Sequence, residues 1–253
     1  LARDLAERLG GQAAITTPGD AMLGLALDEP PVGWHLANPQ AAKPATAALL
    51  AGETARFEIE AGSAAWLTNS NIERSDTGKV VIRTTAKAME MNSDERNNHE
   101  IVYHPPVLAL GVGCERHCEP DELIKLATET LAENGLSAQS VACVASIDLK
   151  ADEAAVHALA DHLGVPARFY DAATLESEAP RLANPSDIIF AETGCHGVAE
   201  GAALATIGKD GTLIVSKQKS KRATCAIGLA RNDIDPMQSG RPQGRLSIVG
   251  IGP

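Results

Sequence analysis

Cys195, His196 and Glu200 fall within one short stretch, Glu192-Thr193-Gly194-Cys195-His196-Gly197-Val198-Ala199-Glu200. Residue type and spacing give all three the means to do chemistry. Gly194 and Gly197 bracket the Cys-His pair, and small apolar residues with helical spacing follow. The preceding run, Ile188-Ile189-Phe190-Ala191, reads as a strand. A strand, a glycine turn and a helix start would set backbone N–H groups and the positive end of a helix dipole beside the turn. His196 is the natural general acid/base, because its ordinary pKa lies near neutrality. Glu200, one helical turn further on, could orient it or act as a base itself. An ordinary glycine-rich strand-to-helix turn would carry the same residues.

The elements that must position these groups are clearest after Val107. Val107–Val112 reads as a buried strand ending at Gly113. Pro120 suits the first position of a helix with Asp121 and Glu122 in its first turn, and Gly135 ends it. Val141–Ile147 is the next strand, and Val156, Leu159, Ala160 and Leu163 form a helical stripe closed by Gly164. Pro166–Tyr170 is a third strand, 188–191 a fourth, and a helix follows from Val198 to Ile207. Thr212–Ser216 and Arg222–Leu229 form a hairpin. This alternation predicts an α/β class: a three-layer α/β sandwich over 107–230, preceded by a smaller, incomplete α/β region. In that earlier region, Leu1–Leu9 reads as a helix and Ala13–Thr17 as a strand. Pro39 opens a helix with Ala45–Leu50 as its body, and Ala55–Ile59, Ala64–Thr68 and Lys79–Thr85 read as strands. The polar run 88–100 followed by Pro105-Pro106 marks an internal boundary, and 231–243 reads as a linker.

Ligands of open α/β sheets sit beyond the carboxyl ends of the strands. Those ends carry Cys114, Arg116 and His117 after the first strand and Asp148 and Lys150 after the second, with Gly194–Gly197 after the fourth. If the strands are parallel, one rim gathers these residues with His196 and Glu200. Arg116 and Lys150 could hold carboxylates, the first by a bidentate fork and the second as a point charge. The segment Lys217–Arg245 is locally basic, with Lys217, Lys219, Lys221 and Arg222 close together. It reads either as a solvated loop or as a patch for a polyanionic small molecule. Asp152 and Glu153 read as helix-start residues, and Cys143 and Cys225 as buried packing.

Composition narrows the classes. A formal charge of −11 over 253 residues argues against a nucleic-acid surface. With only 3% aromatic residues, the cores must be built from Ala, Leu, Val and Ile. No apolar run approaches the ~18–20 residues that span a bilayer, so no membrane partner is expected. The five scattered cysteines do not form a disulfide framework, and a reducing cytoplasm is the expected location. Cys114, His117 and Cys118 lack a second pair of metal ligands, so no metal is expected. No glycine-rich phosphate motif follows the first strand, which weighs against a nucleotide site. The leading Leu1 and the closing Gly-Ile-Gly-Pro suggest a piece of a longer protein.

Gly-Val-Gly-Cys-Glu-Arg at 111–116, Ala-Ser-Ile-Asp-Leu-Lys-Ala-Asp-Glu at 145–153, Gly-Cys-His-Gly-Val-Ala-Glu at 194–200 and Lys-Ser-Lys-Arg-Ala-Thr-Cys-Ala-Ile at 219–227 resemble the C-terminal domain of the CbiG/CobE cobalamin-biosynthesis proteins. Ile-Thr-Thr at 15–17 and Asn-Pro-Gln at 38–40 resemble, more loosely, the part of CbiG before it. Gly244–Pro253 resembles the opening strand of the precorrin methyltransferases. The resemblance implies five segments. Residues 1–22 would end the CbiG N-terminal domain, 23–106 would be its central region and 107–230 its C-terminal domain. Residues 231–243 would link to 244–253, the first strand of a precorrin-3B C(17)-methyltransferase (CobJ) domain.

The resemblance implies a tetrapyrrole or corrin precursor as ligand, and other cobalamin-pathway enzymes as partners. It also implies hydrolytic opening of the ring-A lactone of cobalt-precorrin-5A with loss of acetaldehyde. From their own chemistry and placement, His196 and Glu200 are the residues expected to be catalytic. Cys114, Arg116, Asp148, Lys150, Gly194, Gly197, Lys219 and Arg222 would bind the substrate. This stretch needs no cofactor, and S-adenosylmethionine belongs to the methyltransferase domain alone. The alternative is a non-catalytic precorrin-binding or hand-over module fused to that methyltransferase.

Overall fold

The computed structural model describes residues 18–89 and 99–243. The expected helix at Leu1–Leu9, the strand at Ala13–Thr17, most of the polar run 88–100 and the strand at 244–253 lie outside the described residues. The chain forms two compact units, whose described parts are 18–84 with 99–103 and 85–89 with 104–243.

In the first unit, helix α1 (Pro18–Leu23) precedes strand β1 (His35–Leu36), helix α2 (Ala42–Leu50) and strand β2 (Ala55–Ile59). Helix α3 (Ala65–Thr68) and strands β3 (Val80–Thr84) and β4 (Glu100–His104) complete it. The sheet has the order β1-β4-β3-β2, and β2, β3 and β4 run parallel. Leu27, Leu67, Ile82 and Tyr103 are buried in its core. The strand expected at Ala64–Thr68 is a helical turn instead. The amides of Thr68 and Asn69 bond to the carbonyls of Ala64 and Ala65, so this backbone is satisfied locally and needs no neighbouring strand.

The second unit begins by hooking 85–89 onto its own body: Ser137 N–H donates to Ala86, and Ala88 N–H donates to Gly135. Strand β5 (Leu108–Cys114) leads to helix α4 (Pro120–Glu133), strand β6 (Val141–Ile147), helix α5 (Ala154–Leu163) and strand β7 (Ala167–Tyr170). Short helices α6 (Ala172–Glu176) and α7 (Asp187–Thr193) follow, then helix α8 (Val198–Ile207) and the hairpin of β8 (Thr212–Lys219) and β9 (Ala223–Leu229). Each start and stop has a local cause. Pro120 opens α4, and Gly164 closes α5 in the left-handed region at φ 68°.

The sheet order is β7-β6-β5-β9-β8. Strands β5, β6 and β7 are parallel, while β9 runs antiparallel to both β5 and β8. Strand alternation assigns the two faces. Gly111 and Gly113 of β5 meet Ala199 and Val198 of α8. Cys225, which pairs with Val112, turns to the other face and donates its thiol to Thr130 of α4. Helices therefore cover both sides of the sheet, as a three-layer α/β sandwich requires.

One sequence expectation changes here. The run 188–191, expected as a fourth strand, is part of helix α7. Ser186 caps it by accepting from Ile189 N–H, and Gly194 at φ 79° terminates it. Its apolar side chains are not core, since Ile188 is 73% exposed. Residues 231–243, expected as a linker, are laid along the unit. Ile234 is buried, Arg241 and Phe169 exchange backbone hydrogen bonds, and the Arg168 guanidinium donates to the carbonyls of Met237, Ser239 and Gly240.

Candidate functional site

The parallel register puts the ends of β5 and β6 on one edge, Cys114 on the first and Ile147 on the second. The antiparallel β9 brings the β8–β9 turn, 219–223, to the same edge, with Cys114 opposite Ala223. An open cleft of about 820 Å³ lies there. Its walls are the end of β5, the turn after β6, helix α7, the first turn of α8 and the β8–β9 turn.

Six cationic side chains line it, Arg116, Lys150, Lys217, Lys219, Lys221 and Arg222, against two carboxylates, Glu115 and Glu192. In a chain of net charge −11 this is a strong local reversal. Ile147, Leu149, Ile188, Ile189 and Val198 supply apolar surface in the same cleft. Two of them are half or more exposed: Leu149 at 50% and Ile188 at 73%. The first turn of α8 adds backbone amides, because Gly197 at its N-cap offers no side chain to bond them.

The basic turn is held in place by a carboxylate. Glu122, in the first turn of α4, accepts from Ser220 Oγ at 2.5 Å and from Arg222 N–H at 2.7 Å. These bonds hold its carboxyl below the usual carboxylate range. The Arg222 side chain donates to Glu115 at 3.0 Å and to the Arg116 carbonyl at 2.7 Å. Arg116 in turn donates to Asp152 at 2.6 Å and to the Leu149 carbonyl at 2.7 Å.

Of the residues singled out from sequence, Cys114, Arg116, Lys150, Gly197, Lys219 and Arg222 line the cleft. His196, Glu200, Asp148 and Gly194 are not among its lining residues. Gly194 acts through its left-handed backbone at the end of α7. Glu200 is buried. Its carboxylate accepts from Ala183 N–H at 2.8 Å and Asn184 N–H at 2.9 Å, and from the Asn184 amide and Lys217 N–H at 2.8 Å each. Burial works against its charge, but these donors outweigh it and the pKa is lowered. Such a carboxylate ties loops together and makes a poor base. His196 donates its backbone N–H to Glu176 at 2.9 Å, and its Nδ1 lies 2.9 Å from the same carboxylate. Its ring stacks on Phe190 with centroids 4.4 Å apart. The expected His196–Glu200 pair is thus two separate ties, because the preferred partner of each lies elsewhere in the chain.

Cys114 lines the cleft, but its thiol is pushed up to about 11, first by burial and then by the nearby Glu153. At pH 7 it stays protonated and a weak nucleophile. Its alkylation by iodoacetamide is expected to run on the order of a hundredfold slower than for a free cysteine, and to rise with pH up to about 11. A rate that levels off below pH 9 would contradict this environment. Among the described residues, no group of three or more His, Cys, Asp or Glu side chains could hold a metal ion, and no helix is long and apolar enough to cross a membrane.

Sequence reasoning missed Leu149, Ile188, Ile189 and Ser220 as lining residues. The signal for Lys217 and Lys221 was the basic run itself. The isoleucines were hidden by being read as part of a strand.

The family model for the C-terminus of cobalamin synthesis protein G matches residues 108–228. Protein CobE of Sinorhizobium sp is 56% identical over 120 residues, 47% of this chain and 78% of that protein. The chain belongs to the cobalamin synthesis G C-terminal family. A cobalt-precorrin-5A hydrolase of Priestia megaterium is 29% identical over 250 residues, 92% of this chain. The chain spans 66% of that hydrolase's length. Among solved structures, that of CobE from the cobalamin (vitamin B12) biosynthetic pathway aligns with a TM-score of 0.46 and 38% identity, over 49% of this chain and 89% of that one. A putative cobalamin biosynthesis protein G homolog from Sulfolobus solfataricus aligns with a TM-score of 0.42 and 20% identity, over 90% of this chain and 65% of that one. The family match covers β5 to β9 and hence the strand ends and the basic turn that build the cleft.

Proposed function

We propose that the second unit binds a polycarboxylated tetrapyrrole or corrin precursor in this cleft, and that the protein serves cobalamin biosynthesis. The observation that carries the reading is the pairing of six cations with an exposed apolar surface in an otherwise acidic chain. A macrocycle has large apolar faces and carboxylates at its rim, so it matches that pairing. A small hydrophilic anion would leave Leu149 and Ile188 uncovered.

Similarity to a cobalt-precorrin-5A hydrolase supports a hydrolytic step, opening of the ring-A lactone with loss of acetaldehyde. That reaction needs water delivered to the lactone carbonyl and donors for the oxyanion that forms. The first-turn amides of α8, beside Val198 and Ala199, and the cleft lysines are suited to the second task. The fixed hydrogen bonds of His196 and Glu200 favour a second reading, in which this chain holds or hands over the precursor without cleaving it. Fusion to a precorrin-3B C(17)-methyltransferase (CobJ), which would bring S-adenosylmethionine and contact with other pathway enzymes, is proposed with it.

Incubating the chain with cobalt-precorrin-5A separates the two readings. Acetaldehyde release together with an absorbance change would support the hydrolase. An absorbance change alone would support the hand-over module, and no absorbance change would contradict both.

A further inference from the structure

The six cleft cations are not equivalent. Arg116 spends its guanidinium on Asp152 and the Leu149 carbonyl, which fixes the turn that carries Lys150. Arg222 spends its own on Glu115 and the Arg116 carbonyl, which fixes the turn that carries Lys219 and Lys221. Lys217 donates to the Asn184 carbonyl at 3.3 Å. No such hydrogen bond or ion pair engages the ammonium groups of Lys150, Lys219 and Lys221 among the described residues, and Lys219 and Lys221 are exposed.

Their placement sets a width. Lys150 follows β6, and the β8–β9 turn lies beyond β5 on the same edge. Strands β9 and β8 stand two and three places from β6, so at the usual strand spacing the two sets of lysines are based roughly 10–14 Å apart. A ligand with carboxylates on opposite sides meets both sets with their stems extended, whereas one small anion would engage them only if both sets folded inward.

We propose that Lys150 on one side of the cleft and Lys219 and Lys221 on the other hold opposite carboxylates of the ligand, while Arg116 and Arg222 are positioning residues that fix the turns bearing those lysines. The proposal rests on the cleft being the corrin-precursor site. It reassigns the arginines, whose planar forks suit them to direct carboxylate binding, because the forks are already filled by protein acceptors. Lysine heads on flexible stems are left to meet a ring whose side chains differ in position. Only the lysine contacts are then direct charge pairs with the ligand, and their removal should change the salt dependence of binding.

The test is fluorescence titration of the full chain with uroporphyrin, a polycarboxylated macrocycle, over a range of salt concentrations. Each of Lys150→Gln, Lys219→Gln and Lys221→Gln is expected to weaken binding about two- to fivefold, and the triple variant on the order of 30-fold, with a flatter salt dependence. Lys219→Arg should retain affinity. Arg116→Gln and Arg222→Gln should lower affinity while leaving the salt dependence close to that of the unaltered chain, since the charge lost was paired with Asp152 or Glu115 and not with the ligand. Inorganic phosphate should displace uroporphyrin no better than chloride at equal ionic strength.

Unchanged affinity in the triple lysine variant, a flattened salt dependence in the arginine variants, or specific displacement by phosphate would overturn the proposal while leaving the cleft as the macrocycle site. Failure of the unaltered chain to bind uroporphyrin would count against the site itself and remove the basis of the proposal.

Discussion

Glu200→Gln is expected to lower the stability of the second unit by about 2–4 kcal/mol, a fall in melting temperature on the order of 10 °C. The carboxylate is buried and accepts four hydrogen bonds, from Ala183 N–H, Asn184 N–H, the Asn184 amide and Lys217 N–H. Glutamine keeps the shape but turns one acceptor into a donor, so an N–H group is set against N–H groups with no water to relieve it. The cost is that of leaving buried donors unmet, which exceeds the net worth of an ordinary hydrogen bond. A pH dependence follows from the same bonds. The folded pKa of Glu200 is lowered, so its contribution is fully present above the unfolded carboxylate value of about 4.3 and is lost as pH falls through the folded value. Thermal melts between pH 7 and 3 should show the unaltered chain losing stability toward acid more steeply than the Gln variant. Parallel curves would sink this account of Glu200.

Gly111→Ala is expected to be at least as damaging, costing about 3–4 kcal/mol. A Cβ on Gly111 would sit 2.0 Å from the Ala199 carbonyl and 2.6 Å from Ala203 N. Both neighbours are backbone atoms of α8, so no rotamer change can make room and the helix itself must shift. That helix brings Val198, Ala199 and its first-turn amides to the cleft. The variant should therefore lose ligand affinity as well as stability. Urea unfolding and a binding titration of the same preparation check both. Gly135→Ala is a useful contrast. Nothing lies within 4 Å of its added Cβ, and the cost there is conformational, from φ 63°.

How far the sequence disclosed this depended on how local each determinant was. Strands β5 and β6 and helices α4 and α5 were legible because apolar runs, Pro120 and Gly164 mark their extents within the elements themselves. Helix α7 was not, because Ile188-Ile189-Phe190-Ala191 has the residue types of a buried strand. The Ser186 cap and Gly194 stop decide its form, and it leaves Ile188 facing the cleft. The basic residues could be read off as a cluster. Their division of labour could not, since it turns on Asp152, Leu149 and Glu115 meeting the arginines across the fold. His196 and Glu200 looked like a pair because they are four residues apart. Their partners, Glu176 for one and Asn184 and Lys217 for the other, are 16 to 20 residues away, where no motif points.

The proposed corrin-precursor site is the cleft at the ends of β5 and β6 and beside the β8–β9 turn. Amide hydrogen exchange with and without a bound corrin precursor tests it most directly. Slowed exchange is expected at 113–116, in α7 and the first turn of α8, and at 217–224, with 18–84 unchanged. Slowing confined to 18–84, or none at the β8–β9 turn under saturating ligand, would contradict it.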